Sequence, residues 1–540
     1  MGRVVRAART LETVRPAPLL AVVATTQIAV AFAVALTSTH NSWLFYSGGD
    51  ATEYWAHEWA LGHGYIPQTV VGYGLPVLFA WVPLVAGPAL VNGAVVVVLL
   101  QALVLVPLAL VLVWAVADRI GGRLFAWWAA AAWICAPLLV LRGLRPDYRG
   151  TFEELFLVPH WYGFTNMADF PSLVVALAVA WATFRAVDSG FAEDAAVAGA
   201  AAAVALALKP ANGFLLAAPA IAFALARRRR QSLVWIAALA PAVATLALWK
   251  YRGLGYLPAT SLGERHLTLG WPEETAAATS YIPLDWDHFA DNLAQLREVF
   301  WSLRLVEVLA IAGAFALIRR APLKGIYVLV WMVTFCVVKG SSERTAVATT
   351  TYFRLTEPGL AAFFLLAAGV VLLVPTLGRR RPPAKPTAPV LNRRGLGVVF
   401  AVVTAVPLLA IAAARPASAD VVARDNRTAN EMPIHELGLK VSVGERVRLS
   451  WRRPGTGGPR VFYIVFRDES GDGCEIPPRG VPECLLTMAV AGTTRATAFA
   501  DEPGRGRHWY RVAVAANAAD DGNAGGDLVL LSPAVRADVR

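Results

Sequence analysis

"GAVVVVLLQALVLVPLALVLVWAVADRIGGRLFAWWAAAAWICAPLLVL", residues 93–141, decides the fold. Its two apolar runs, 93–117 and 124–141, each approach the ~20 residues a helix needs to cross a bilayer. A short break carrying Arg119 and Arg123 separates them. Outward from there the same pattern recurs near 18–37, 171–187, 195–208, 212–226, 232–249, 303–318, 324–339, 354–374 and 396–414, which predicts about eleven spans in all. The 540-residue chain is 57% hydrophobic and 16% charged, too apolar for a soluble enzyme. Its net charge of +11 sits in short clusters between the apolar runs, as in loops retained on the cytoplasmic side, and this distribution argues against nucleic-acid binding.

The first run follows Arg3, Arg6, Arg9 and Arg15, is longer than a secretory h-region and lacks a small-x-small cleavage site. It reads as an uncleaved anchor with the N-terminus inside. Arg119/Arg123, Arg227–Arg230, Arg319/Arg320/Lys324, and Arg379–Arg381 with Lys385 and Arg393/Arg394 then share the cytoplasmic side. This requires that "LPVLFAWVPLVAGPALV", 75–91, dips into the membrane or lies along it, as its prolines allow. Loops 38–92, 142–170, 250–302 and 340–353, the tip 209–211 and everything after about 415 then face outward. The expectation is a multi-pass α-helical domain over 1–414 in the cell membrane, a linker over 415–436, and an extracytoplasmic all-β sandwich over 437–540.

The sandwich is read from short alternating runs such as "KVSVGERVRLSW", "RVFYIVFRDE" and "HWYRVAVAA", separated by Gly, Pro and Asp clusters. With "LSW" around Trp451 and "WYRVAVAA" around Tyr510, this tail resembles a fibronectin type III module. Cys135 and Cys336 read as small packing groups inside apolar runs, and Cys474 and Cys484 as a disulfide in an oxidising compartment.

The outward face carries the chemistry. "DATEYWAHEWALGHGYIP", 50–67, reads as a helix with Asp50 as N-cap, Glu53 at capping-box spacing and "GHG" as its stop, Trp55 and Trp59 sharing a membrane-surface face. Alternatively, Asp50, Glu53 and His57 present carboxylates and an imidazole on one face. Asp169, in "FTNMADFPSLVVALAVAWA", either starts a helix or supplies another carboxylate. Lys209, in "LALALKPANGFLLAAPA", either snorkels to the interface or needs an anionic partner, because burying it alone would be costly. Arg354, in "TYFRLTEPGLAAFFLLA", stands close to Glu357, as a structural ion pair or as an anion ligand.

In these stretches the chain resembles the GT-C superfamily of integral-membrane glycosyltransferases, in particular the branch of protein O-mannosyltransferases and the lipid A aminoarabinose transferase. The acidic residue followed by "YWAHEWALGHGYIP", Asp169-Phe170-Pro171, Lys209-Pro210 and "TYFRLTEPGL" match its pattern in order. Arg354 and Glu357 depart from it, being more charged. The resemblance implies an enzyme of the cell envelope that moves a sugar from a polyprenyl-phosphate carrier to a lipid, glycan or protein acceptor at the outer face, usually with inversion. It implies Asp50 as general base, with Asp169 orienting the acceptor, assisting the base, or sharing a divalent metal with Asp50, His57 or Glu53; some members use a metal and others none. Lys209 and Arg354, with Arg142, Arg145 and Arg344 behind them, would meet the lipid phosphate. The rival reading is a transporter or flippase of a lipid-linked or anionic substrate; the lack of a convincing internal repeat and the clustering of polar groups in outward loops weigh against it.

Overall fold

The computed structural model describes residues 15–37, 49–67, 71–87, 90–144, 161–255, 285–300, 302–342, 345–347, 351–374, 385–417, 437–453, 462–468, 488–516 and 527–539. Cys474 and Cys484, Arg145 and Arg344 lie outside them.

Helix α1 spans Pro16–Thr37 and α2 spans Gly49–Gly62. The chain then turns at Gly64, whose φ of +78° suits a residue without Cβ, and enters β1, Tyr65–Ile66. The stretch expected to dip into or lie along the membrane forms two short helices, α3 (Gly74–Phe79) and α4 (Trp81–Ala86). Pro76 and Pro83 sit in their first turns, where backbone N–H groups have no helical partner to lose.

Next come α5 (Leu90–Leu100), a π-helical turn over Gln101–Leu105, and α6 (Val106–Gly121). Pro107 explains that turn: its ring crowds the preceding carbonyls and its missing N–H breaks the ladder. Helix α7 is Arg123–Arg142, α8 Asp169–Ser189 and α9 Ala192–Leu208. A 3-10 turn over Pro210–Leu216 leads into α10 (Ala217–Leu225), followed by α11 (Arg229–Leu254). Helix α12 (Trp286–Val299) starts where Asp285 accepts from His288 N at 2.9 Å. After α13 (Leu303–Arg320), α14 (Pro322–Met332) runs through a π turn, Val333–Val338, into a 3-10 turn, Lys339–Ser341. Helix α15 is Thr351–Ala368; α16 (Arg393–Phe400) and α17 (Val406–Ala413) are joined by a π turn, Ala401–Ala405, again just ahead of a proline, Pro407.

A helix lies at every stretch expected to span. Among the described residues, eight helices are long and apolar enough to cross a membrane. The other three expected spans fall short of that standard. Helix α9 has only 17 residues, Pro210–Leu225 is a shorter apolar helix, and α13 carries Arg304, Glu307, Arg319 and Arg320. Small side chains let α9 approach α11: a Cβ on Gly199 would lie 2.6 Å from Trp235 O.

Helix α8 sets the two ends of the bundle apart by about 30 Å. At its C-terminal end Asp188 accepts from Lys324 Nζ at 2.8 Å and lies 3.6 Å from Arg119, so two of the basic clusters meet there. Nearby, Arg185 and Ser189 donate to Asp194 at 3.1 and 2.7 Å, and Val390 N donates to the same carboxylate at 2.8 Å. Asp169 begins the opposite end.

After α17, β2 (Arg415–Pro416) pairs in parallel with β1. The C-terminal strands are β3 (Lys440–Val443), β4 (Val447–Ser450), β5 (Phe462–Asp468), β6 (Ala489–Thr494), β7 (Ala498–Asp501), β8 (Gly506–Ala516), β9 (Asp527–Leu531) and β10 (Val535–Val539). They form a three-stranded sheet, β3-β4-β7, and a five-stranded one, β10-β8-β5-β6 with β9 also on β8, all antiparallel. Leu449 and Trp451 share a core with Tyr463, Tyr510 and Val512, the Trp451 and Tyr463 rings 5.2 Å apart. Tyr510 donates its hydroxyl to the Asp501 side chain at 2.7 Å.

Three expectations need correction. Helix α2 begins at Gly49, so Asp50 stands inside its first turn and is not the cap. Trp55 is fully buried, not on a membrane surface, because α2 is packed on both faces. Cys135 is exposed on α7 instead of filling the interior.

Candidate functional site

One apolar cluster draws three distant segments together. Ala51, Ala168 and Leu208, each the chain neighbour of a residue singled out above, are buried in it with Tyr54, Trp55, Leu75, Phe79 and Met167. The backbones at Asp50, Asp169 and Lys209 therefore converge. Glycines make the approach close enough. A Cβ on Gly93 would fall 1.9 Å from the Trp55 ring, and one on Gly72 would fall 2.2 Å from Ala207 O, so the chain after β1 lies directly on the end of α9. Across the cluster Asn166 Nδ2 donates to Ala51 O at 3.4 Å.

Asp169 is the first residue of α8, where the helix dipole favours a carboxylate. Its side chain is 2% exposed, pairs with Lys209 Nζ, and lies 3.9 Å from Arg354 Nε. Lys209 takes an extended conformation (φ −150°, ψ 119°) at the end of α9, because Pro210 cannot continue the helix. The lone cation of the sequence thus has its anionic partner. Arg354 enters from the first turn of α15, and Glu357, three residues on and 1% exposed, belongs to the same electrostatic group as Asp169, Lys209 and Arg354.

A second polar group lies along α2. Glu53 Oε1 is 3.8 Å from His57 Nε2, and Lys250, near the end of α11, interacts electrostatically with both. Lys250 Nζ donates to Val71 O at 2.6 Å. Burial, and secondarily the Lys250 ammonium, push His57 down to about 3, so its imidazole is neutral near pH 7 and its contact with Glu53 is not an ion pair. Glu58 is fully buried and neither of its carboxyl oxygens has a hydrogen-bond partner among the described residues; burial lifts its pKa well above the carboxylate range, against a smaller opposing effect of the nearby Asn166 amide.

Not every expected residue joins these groups. The Asp50 side chain, like Arg145 and Arg344, lies outside what the structure describes. Arg142 is exposed at the end of α7 and forms no ion pair among the described residues. No group of three or more His, Cys, Asp or Glu side chains suited to a metal ion occurs among the described residues. The donor set at Asp169 does not fit a divalent cation either, since its carboxylate faces Lys209 and Arg354. Lys250 and Asn166 were missed in the sequence, and Glu58, though one of the acidic residues of the 50–67 stretch, was given no role there; Lys250 had a signal, a lone cation at the end of an apolar run, as at Lys209.

Beside this region an apolar cavity of about 540 Å³ lies among α12, α13, α14 and α15, lined by residues that include Leu296, Phe300, Val306, Phe364, Tyr352 and Phe353. Tyr352 and Phe353 immediately precede Arg354. Among the described residues its charged lining is one pair, Arg297 and Glu307, bonded at 2.7 Å. The chain leaving α17 is fastened to the end of α2 and to β1 and α11: Arg415 N donates to Gly64 O and Ala417 N to Ile66 O, both at 2.8 Å, and Arg252 donates to Ala414 O.

No protein-family model matches the chain, and no curated protein matches it. Among solved structures it is similar to the apo oligosaccharyltransferase of Archaeoglobus fulgidus, with 13% identity, a TM-score of 0.39, and coverage of 73% of this chain and 57% of that one. It is also similar to the oligosaccharyltransferase AglB of Archaeoglobus fulgidus in complex with an inhibitory peptide and a dolichol-phosphate, with 12% identity, a TM-score of 0.37, and coverage of 73% and 56%. The chain thus spans less than two thirds of the length of these two proteins.

Proposed function

We propose that the chain is a membrane glycosyltransferase that moves a sugar from a polyprenyl-phosphate carrier to an acceptor hydroxyl at the outer face. The observation that carries this reading is the placement of two cations, Lys209 and Arg354, on one buried carboxylate, next to the helix of Asp50 and beside an apolar cavity suited to a hydrocarbon chain. The outer face is inferred from the basic clusters gathered at the far end of α8.

In this reading the acceptor oxygen forms a bond to the anomeric carbon as the bond from that carbon to the phosphate oxygen breaks, with inversion. Its proton passes to Asp50, and the electron pair leaves on the lipid phosphate. Lys209 and Arg354 receive that charge, and Asp169 holds the two cations together before the phosphate arrives. Glu53 and neutral His57 line the acceptor side, while Arg142, Arg145 and Arg344 are outer contacts of the donor. No step passes through a metal. The branch of the superfamily, the donor sugar and the fibronectin-like identity of the C-terminal module belong to the same proposal.

The test is transfer of labelled sugar by the purified chain in nanodiscs from a panel of polyprenyl-phosphate sugars. Transfer supports the proposal. Flux of the lipid-linked substrate across vesicles without transfer would replace it with the transporter reading.

A further inference from the structure

Two hydrogen-bonded rungs join α8 to the turn after α9. The charged rung is Lys209 to Asp169. The second lies three residues further along both segments, where Asn212 Nδ2 donates to Ser172 Oγ at 2.7 Å. Ser172 follows Asp169 by one turn of α8 and stands on the same face. Asn212 follows Lys209 by one turn of the 3-10 segment, closed by Asn212 N donating to Lys209 O at 2.9 Å.

We propose that Asn212 and Ser172 are positioning residues that fix Lys209 against Asp169. The proposal rests on the reading that Lys209 receives the departing phosphate. Both residues are buried, at 1% and 0% exposure, so neither reaches a ligand. Their bonding is nonetheless specific. Ser172 Oγ donates to Ala168 O at 2.6 Å, which leaves its lone pairs to accept from Asn212. Asn212 Nδ2 also donates to Ala205 O at 2.7 Å, adding a donor at the end of α9, where Pro210 brings none.

The physical need is plain. A lysine on a flexible four-carbon stem does not fix the backbone that carries it. When an anion arrives and competes for Lys209, the ionic rung weakens, whereas the neutral rung is indifferent to charge. Asn212–Ser172 then keeps the two segments in register while the ammonium turns from Asp169 towards the phosphate.

The test needs no substrate. Full-length protein in nanodiscs is treated with an amine-acylating reagent, and mass spectrometry reads the labelling of Lys209 relative to Lys324, whose partner Asp188 lies at the other end of α8. Ser172→Ala and Asn212→Leu should each raise that ratio about tenfold, the effect of losing one buried hydrogen bond. Ser172→Thr, which keeps the hydroxyl, should leave it near wild type. A ratio unchanged in Ser172→Ala and Asn212→Leu, or raised as much by Ser172→Thr as by Ser172→Ala, would overturn the proposal. In the transfer assay the first two variants should lose kcat with little change in donor KM. A wild-type chain without transfer would end the glycosyltransferase reading, yet the labelling ratio would still decide whether this pair positions Lys209.

Discussion

Asp169→Asn removes the carboxylate that both Lys209 and Arg354 contact. Taking one partner from a buried pair costs about 3–5 kcal/mol, because the remaining charge stays desolvated. Glu357 belongs to the same group and offsets part of that loss, so the lower end, about 3 kcal/mol, is expected. Lys209→Met leaves Asp169 with Arg354 at 3.9 Å and should cost less, about 2 kcal/mol. The double variant replaces Lys209 and Asp169 by neutral groups of similar size and leaves Arg354 with Glu357, so it should cost no more than about 1 kcal/mol, since the desolvation of the two replaced ions disappears with their attraction. The expected coupling is therefore about 4 kcal/mol, read from denaturant unfolding of the four proteins in one detergent. The double variant should be stable yet inactive. Destabilisations that simply add, within about 0.5 kcal/mol, would refute the buried pair as the joint between α8 and α9.

Other expectations follow from the same region. His57 binds its proton near pH 6.5 when unfolded and only near 3 when folded, so the unfolded state holds more protons below pH 6.5. Stability should fall by about 2 kcal/mol from pH 7 to pH 5 on this account, and His57→Gln should remove that loss in acid unfolding curves. Glu58 has the opposite sign: its contribution is complete below the unfolded carboxyl value and declines as pH rises above it, so Glu58→Gln should flatten the alkaline side of the same curve. Gly72→Ala would drive a methyl group to 2.2 Å from Ala207 O, backbone that cannot swing aside, and should lower the unfolding free energy by about 1–3 kcal/mol. Ala417→Pro removes the donor to Ile66 O and should speed amide exchange in 62–67 without affecting the Lys324 end of the bundle.

Much of the bundle was legible because length and hydropathy are properties of single segments. The lone charge at Lys209 signalled the need for an anionic partner, because a buried cation is costly alone, but nothing local named Asp169 as that partner. Helix α2 was harder. Its Tyr54, Trp55, Ala56, His57 and Glu58 are all buried, so no polar face marks which side meets solvent, and an amphipathic reading of Trp55 and Trp59 fails. The room for Trp55 comes from Gly93 on another helix, and the cavity beside Arg354 arises from four helices together; no local pattern announces either. Glu58 with Asn166, and Asn212 with Ser172, are likewise pairs of ordinary residues that acquire meaning only when distant turns meet.

The most direct test of the account is single-turnover sugar transfer by Asp50→Asn, set beside its binding of the same polyprenyl-phosphate sugar. The account expects donor binding near that of the wild type and transfer reduced by at least about 100-fold, the contribution of a general base. Transfer at the wild-type rate with Asn at position 50 would contradict it.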